Sequence, residues 1–193
     1  MGNCDGARAA MLGGVLLLAG CASVPLASYD LNALPASKSG SPVRSQMVIA
    51  APIAVQALDS ERILVRTDGN TLAYLAGGQW PERLPAIVQA RLVQSFENSH
   101  RLARVARPGD RILPDVQLDS EIRAFEFNVA AGEVRVEIAV KLVNDHTGRI
   151  VGEQVFSARV TQGSSEPKAV STALDQALGD VMGQMINWSA KQL

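Results

Sequence analysis

The sequence predicts an α+β fold: a two-layer sandwich in which an antiparallel sheet with a long-strand meander carries two amphipathic helices on one face. Three observations lead there. Asp115–Phe127, Glu133–Leu142 and Ile150–Val160 follow one another as long runs that alternate apolar and polar residues, the period of a strand with one buried face. Leu84–Asn98 and the stretch from Pro167 onward instead place their apolar residues at steps of three and four, the period of a helix. The chain has 193 residues, 47% hydrophobic and 19% charged, which suits one domain with an ordinary core and excludes a disordered chain.

The elements follow in order. Gln46–Ala51, with Val48 and Ile49, reads as a first strand. Arg62–Arg66 and Thr71–Leu75 flank Asp68-Gly69-Asn70, a tight-turn signal between β-rich runs, and so predict a hairpin. A glycine-containing polar segment, Ala76–Arg83, carries Trp80 and Pro81 into the first helix, whose stripe is Leu84, Ile87, Val88, Leu92 and Phe96. Val105 lies in a short strand, and Pro108-Gly109 and Pro114 bound a loop. In the first meander strand Val116, Leu118, Ile122 and Ala124 share one parity and are expected to face inward, while Phe125 and Phe127 fall on the other. Either a bulge shifts the phase there or both faces are covered. Val134, Val136, Ile138, Val140 and Leu142 alternate without fault in the second strand, and Phe156, Ala158 and Val160 are in phase in the third. Ser164-Ser165-Glu166-Pro167 marks the start of the closing helix.

The first residues read differently. Ala9–Ala19 is an uncharged run of 11 residues, about half the length a membrane span requires, with Arg8 before it. That is the h-region of a secretory signal. Leu18-Ala19-Gly20-Cys21 resembles the lipobox of bacterial lipoproteins, where cleavage precedes a cysteine whose thiolate accepts a diacylglyceryl group. The expected division is a lipoprotein signal peptide over 1–20, a lipidated N-terminus and flexible tether over 21–44, and a domain over 45–193. Ala, Ser and Pro dominate the tether, interrupted by Tyr29-Asp30-Leu31, a short edge-strand candidate. Cleavage removes Cys4 and commits Cys21 to lipid, so a disulfide is excluded. In lipoproteins of this kind Asp after the cysteine favours the inner membrane, so Ala22 points to the outer one.

Little else in the chain reads as chemistry. The net charge of −1 (18 basic residues against 19 acidic) lacks the basic excess of a nucleic-acid binder. No glycine pattern for phosphate binding and no HExxH occurs, so neither a bound cofactor nor a metal is expected beyond the covalent lipid on Cys21. His100 is expected to end the first helix and His146 to sit in a hairpin turn. The carboxylate pairs Asp119 with Glu121 and Glu133 with Glu137 fall on the solvated face of strands. An enzyme is not expected.

The stretch LDSERILVRTDGNTLAYLAGGQWPERLP, Leu58–Pro85, resembles the ABC-type transport auxiliary lipoproteins, the PqiC-like family. Leu58, Arg62, Ile63, Arg66, Leu72, Tyr74, Trp80, Leu84 and Pro85 carry the likeness, which runs from about Tyr29 to Trp188. Asp30 departs from it, standing where the family often has a bulky residue. The resemblance implies a lipoprotein facing the periplasm from the cell outer membrane. It would serve an ABC permease and ATPase and a substrate-binding protein of the mammalian-cell-entry type, which move lipids or other hydrophobic molecules across a Gram-negative envelope. A homo-oligomer is compatible with that role. Within the motif Arg66, Tyr74 and Trp80 are the candidate partner-binding residues, with closure of the core edge as the alternative for the two aromatics. A second reading, from another class, is a structural envelope lipoprotein that binds or activates a peptidoglycan synthase, which also needs a tethered α+β domain.

Overall fold

The computed structural model describes residues 26–37 and 43–193; the signal segment, Cys21 and Ala22 lie outside the described residues. One strand organises the sheet. β7 (Val116–Asn128) is 13 residues long, about 43 Å, and is paired along its full length on one side. There it meets β8 (Glu133–Asn144) antiparallel, and β8 in turn meets β9 (Ile150–Thr161) antiparallel. Its other side is shared end to end by three short strands: β2 (Val43–Ile49), β3 (Ile53–Ala54) and β4 (Arg62–Arg66).

All three run parallel to β7. β6 (Leu102–Ala106) continues the sheet beyond β2, also parallel, and β5 (Leu72–Gln79) continues it beyond β4 as the antiparallel half of a hairpin. The sheet is therefore mixed: the meander and the β4–β5 hairpin are antiparallel as expected, but every other pairing is parallel. Parallel neighbours need a crossover rather than a turn, and α1 (Leu84–Ser99), between β5 and β6, is one. Turn signals reveal hairpins and are silent about crossovers.

The long strands follow their alternation. Val134, Val136, Ile138, Val140 and Leu142 are all buried, as is Phe156 opposite Ile138. In β7 the register slips between Ile122 and Ala124. That bulge turns Phe125 and Phe127 inward, opposite Val136 and Val134, and puts Ala124 and Glu126 on the outer face. Over the inner face lie α1 and α2 (Pro167–Gln192), whose stripes join the strands in one core from Val88 and Leu92 to Leu174, Val181 and Met185. Pro167 opens α2 as predicted, but no side chain caps it; Ser164 Oγ accepts the Glu166 N–H instead, at 3.1 Å.

The largest departure lies at the N-terminal edge, where a flexible tether was expected up to residue 44. Residues 26–37 form a strap docked on the domain. Ala27–Ser28 (β1) pairs parallel with Gly78–Gln79, and the Tyr29 N–H donates to the Gln79 carbonyl at 2.9 Å. Leu31 is buried to 1% exposure. The Asn32 N–H and side-chain amide both donate to the Asp175 carboxylate, at 2.6 and 2.8 Å. Leu34 then bridges the helices, with its N–H on Ser95 Oγ and its carbonyl accepting from Asn98. The Leu34 side chain lies against α2 beside Gly179, where a Cβ would meet it at 3.5 Å, an ordinary van der Waals contact. Ala-Ser-Pro composition describes a segment with few apolar anchors; Tyr29, Leu31 and Leu34 are enough to dock it.

Candidate functional site

The residues singled out for partner binding lie on and beside the β4–β5 hairpin, and the pairing decides which way each points. Arg62, Leu64 and Arg66 share the outer face of β4 with Tyr74 of β5 and Glu126 of β7, because Leu64 stands opposite both. Arg66 meets Glu126 through two parallel bonds, Nε to Oε1 and Nη2 to Oε2, each 2.9 Å. Glu126 is buried to 5% exposure, and the fork satisfies both its oxygens. The hydrogen bonds to Glu126 hold the Arg66 guanidinium above the usual arginine range, partial burial opposing them. Arg66 also donates to the Gly69 carbonyl in the hairpin turn. Three of its five N–H donors are thus engaged within the domain, where it neutralises a buried carboxylate.

Trp80 is not a surface anchor. It is 1% exposed and lies edge-on to Phe125, ring centroids 5.7 Å apart at 81°. Its backbone N–H donates to the Glu61 carbonyl at 2.7 Å. The loop around it is exposed at Pro81, Glu82 and Arg83, but the ring turns inward because the β7 bulge has brought Phe125 to the same side. The partner-binding expectation for Trp80 is corrected: its position in the motif is a packing position.

Tyr74 differs. It is 39% exposed, with the Arg62 guanidinium 4.8 Å above its ring and its hydroxyl 3.4 Å from the Ala57 carbonyl. A ring held flat under an arginine offers apolar area and charge together, the composition of an interface anchor.

The remaining sequence candidates fall where expected. His100 ends α1 in the left-handed conformation, its N–H on the Glu97 carbonyl, and His146 sits in the β8–β9 turn. Of the paired carboxylates the three glutamates face arginines, Glu121 with Arg123, Glu137 with Arg135 and Glu133 with Arg159, while Asp119 accepts from the Gln117 side-chain amide at 2.7 Å. Among the described residues no group of His, Cys, Asp and Glu is arranged to hold a metal, and no helix is long and apolar enough to cross a membrane. A shallow cleft of about 620 Å³ opens on the outer face where Ile53 of β3 stands beside Glu121, Ala139 and Val155. The edge-strand candidate Tyr29-Asp30-Leu31 lies within the strap, whose pairing falls at Ala27–Ser28 and Tyr29; the docking that continues through Asn32 and Leu34 fell in the expected tether.

Comparison with known proteins places this architecture. A protein of Bradyrhizobium diazoefficiens is 31% identical over 167 residues, which is 84% of this chain; the chain spans 44% of that relative's length. A crystal structure of a Xanthomonas campestris protein superposes with a TM-score of 0.79 at 27% identity, covering 86% of this chain and 95% of that one. A second solved structure, at 10% identity and a TM-score of 0.65, shares the fold. The family described as ABC-type transport auxiliary lipoprotein component matches residues 29–186. That match begins within the strap and ends in the last turns of α2, taking in every element between them, and by it the chain belongs to the family of ABC-type transport auxiliary lipoprotein components.

Proposed function

We propose that the protein is a non-catalytic lipoprotein, anchored in the outer membrane by acyl chains on Cys21 and facing the periplasm. There it serves a mammalian-cell-entry-type ABC system that moves lipids or other hydrophobic molecules between the envelope membranes. The observation that carries the reading is the family match over 29–186 on a chain whose Leu18-Ala19-Gly20-Cys21 has the form of a lipobox. Two or three acyl chains hold such a protein durably, at ~0.8 kcal/mol per buried CH₂. The pairing of each outer-face glutamate named above with an arginine supports a non-catalytic role, since a general acid needs a carboxyl kept from such partners. Tyr74 under Arg62 is the surface feature we assign to partner contact.

Genetic interaction tests the assignment. Deleting the gene for this protein and deleting the permease of the transporter should cause the same change in envelope lipid composition, and the double deletion should add nothing. Additive changes would place the protein outside the transporter's pathway.

A further inference from the structure

The strap fixes where an acylated Cys21 can be. Leu26, the first described residue, lies beside Gly77, since Ala27 pairs with Gly78 in parallel. Because β1 runs parallel to β5, its N-terminal end faces the end of β5 that carries Leu72 and the β4–β5 turn. Cys21 is five steps along the chain from Leu26, a reach of at most about 17 Å. Leu72 is likewise five steps from Gly77 along β5, so an extended chain would just reach the end of the sheet marked by that turn. A tether running to residue 44 would have let the domain stand tens of ångströms from a bilayer; a strap docked from residue 26 does not.

The sheet end so reached has a distinct surface. Three segments form it: Thr67–Thr71 between β4 and β5, Val129–Gly132 between β7 and β8, and Gln162–Glu166 leading into α2. They hold one aspartate and one glutamate, Asp68 and Glu166, and no lysine or arginine. Leu72 and Val129 are exposed there at 45% and 43%, and Leu26, where the chain leaves the sheet edge, at 46%. The opposite end of the meander, the turn Asn144–Arg149, carries Asp145, His146 and Arg149 in six residues.

We propose that this end of the sheet rests on the lipid surface. Leu72 and Val129 sit in the headgroup layer, and the charged Asn144–Arg149 turn points away from the membrane, about the length of β7 from it. The inference rests on the lipid-anchor reading of Cys21. It adds which face of the domain the membrane covers, and therefore which faces remain for the transporter. The apolar residues and the short reach hold the contact, and with no basic residue in the three segments it does not rest on attraction to anionic headgroups, so added salt does not weaken it.

Depth-dependent quenching reads this out. Full-length lipidated protein carrying a fluorophore on Val129→Cys, or on His146→Cys, is reconstituted into phosphatidylethanolamine–phosphatidylglycerol vesicles containing a headgroup-spin-labelled lipid. The label at 129 should be quenched several-fold more than that at 146, and raising the salt concentration should not reduce that difference. A twenty-residue Gly-Ser insertion between Ala22 and Leu26 should abolish the difference while leaving the protein on the vesicles. Equal quenching at the two positions, or stronger quenching at 146, on protein whose Cys21 acylation is verified by mass spectrometry overturns the orientation alone. Protein found without acyl groups on Cys21 overturns the anchor reading and this inference with it.

Discussion

At the scale of single residues, the Leu58–Pro85 motif separates into packing, charge and surface. Trp80→Ala empties a site closed by Phe125 and should cost about 3–5 kcal/mol, leaving the partner affinity of the folded fraction unchanged. Tyr74→Ala should do the reverse: a change within about 0.5 kcal/mol in stability, because the ring is exposed, and a loss of more than about 1 kcal/mol in partner binding. Melting temperature and partner affinity measured on each variant decide both cases. Arg66→Ala strands the Glu126 carboxylate and should destabilise by about 1–3 kcal/mol, less than for a fully enclosed pair because Arg66 is 29% exposed. Removing Glu126 as well (R66A/E126A) should recover part of that loss, since it removes the buried charge left alone. The raised Arg66 pKa means that its contribution is fully present below the ordinary arginine range and is lost only as pH rises through the higher folded value. The arginine itself therefore adds no pH dependence near neutrality. From sequence, Tyr74 and Trp80 were equivalent aromatics near a loop. What separates them is the Ile122–Ala124 bulge, which brings Phe125 under Trp80. The wrong-parity phenylalanines did announce that bulge, but their consequence for a residue 45 positions earlier (125 against 80) is a tertiary fact.

At the scale of elements, local signals located most of the structure. The long strands and both helices appear within a few residues of their expected bounds because each carries its own period. The parallel pairing of β2, β3 and β4 with β7 was not legible, since nothing in a short apolar strand records its neighbour's direction. Beyond its edge-strand candidate the strap was hidden for another reason: its docking depends on hydrogen bonds that Asn32 and Leu34 donate to Asp175 and Ser95 and that the Leu34 carbonyl accepts from Asn98, residues on helices far along the chain. Two changes test it. Gly78→Ala would place a Cβ 2.8 Å from the Pro167 side chain and 3.2 Å from the Tyr29 ring, and should cost about 1–3 kcal/mol while exposing the strap to proteolysis. A double-mutant cycle between Asn32→Ala and Asp175→Ala should return a coupling of about 0.5–2 kcal/mol, and additive losses would mean that the pair does not hold the strap.

At the scale of the whole molecule, the domain is a twisted mixed sheet backed by two helices, with a strap that shortens the path from its fold to Cys21. Cys21→Ser should leave the melting temperature unchanged, since five residues separate that position from the first docked one, and should move the protein from the membrane to the soluble fraction. Membership of a transport assembly is tested most directly by mass spectrometry of what co-purifies with the full-length lipidated protein from mildly solubilised membranes. An ABC ATPase, a permease and a mammalian-cell-entry-type protein should be retained by the native chain and held more weakly by Tyr74→Ala. Recovery of a peptidoglycan synthase in their place, with no transporter subunit enriched over the untagged control, would contradict that membership.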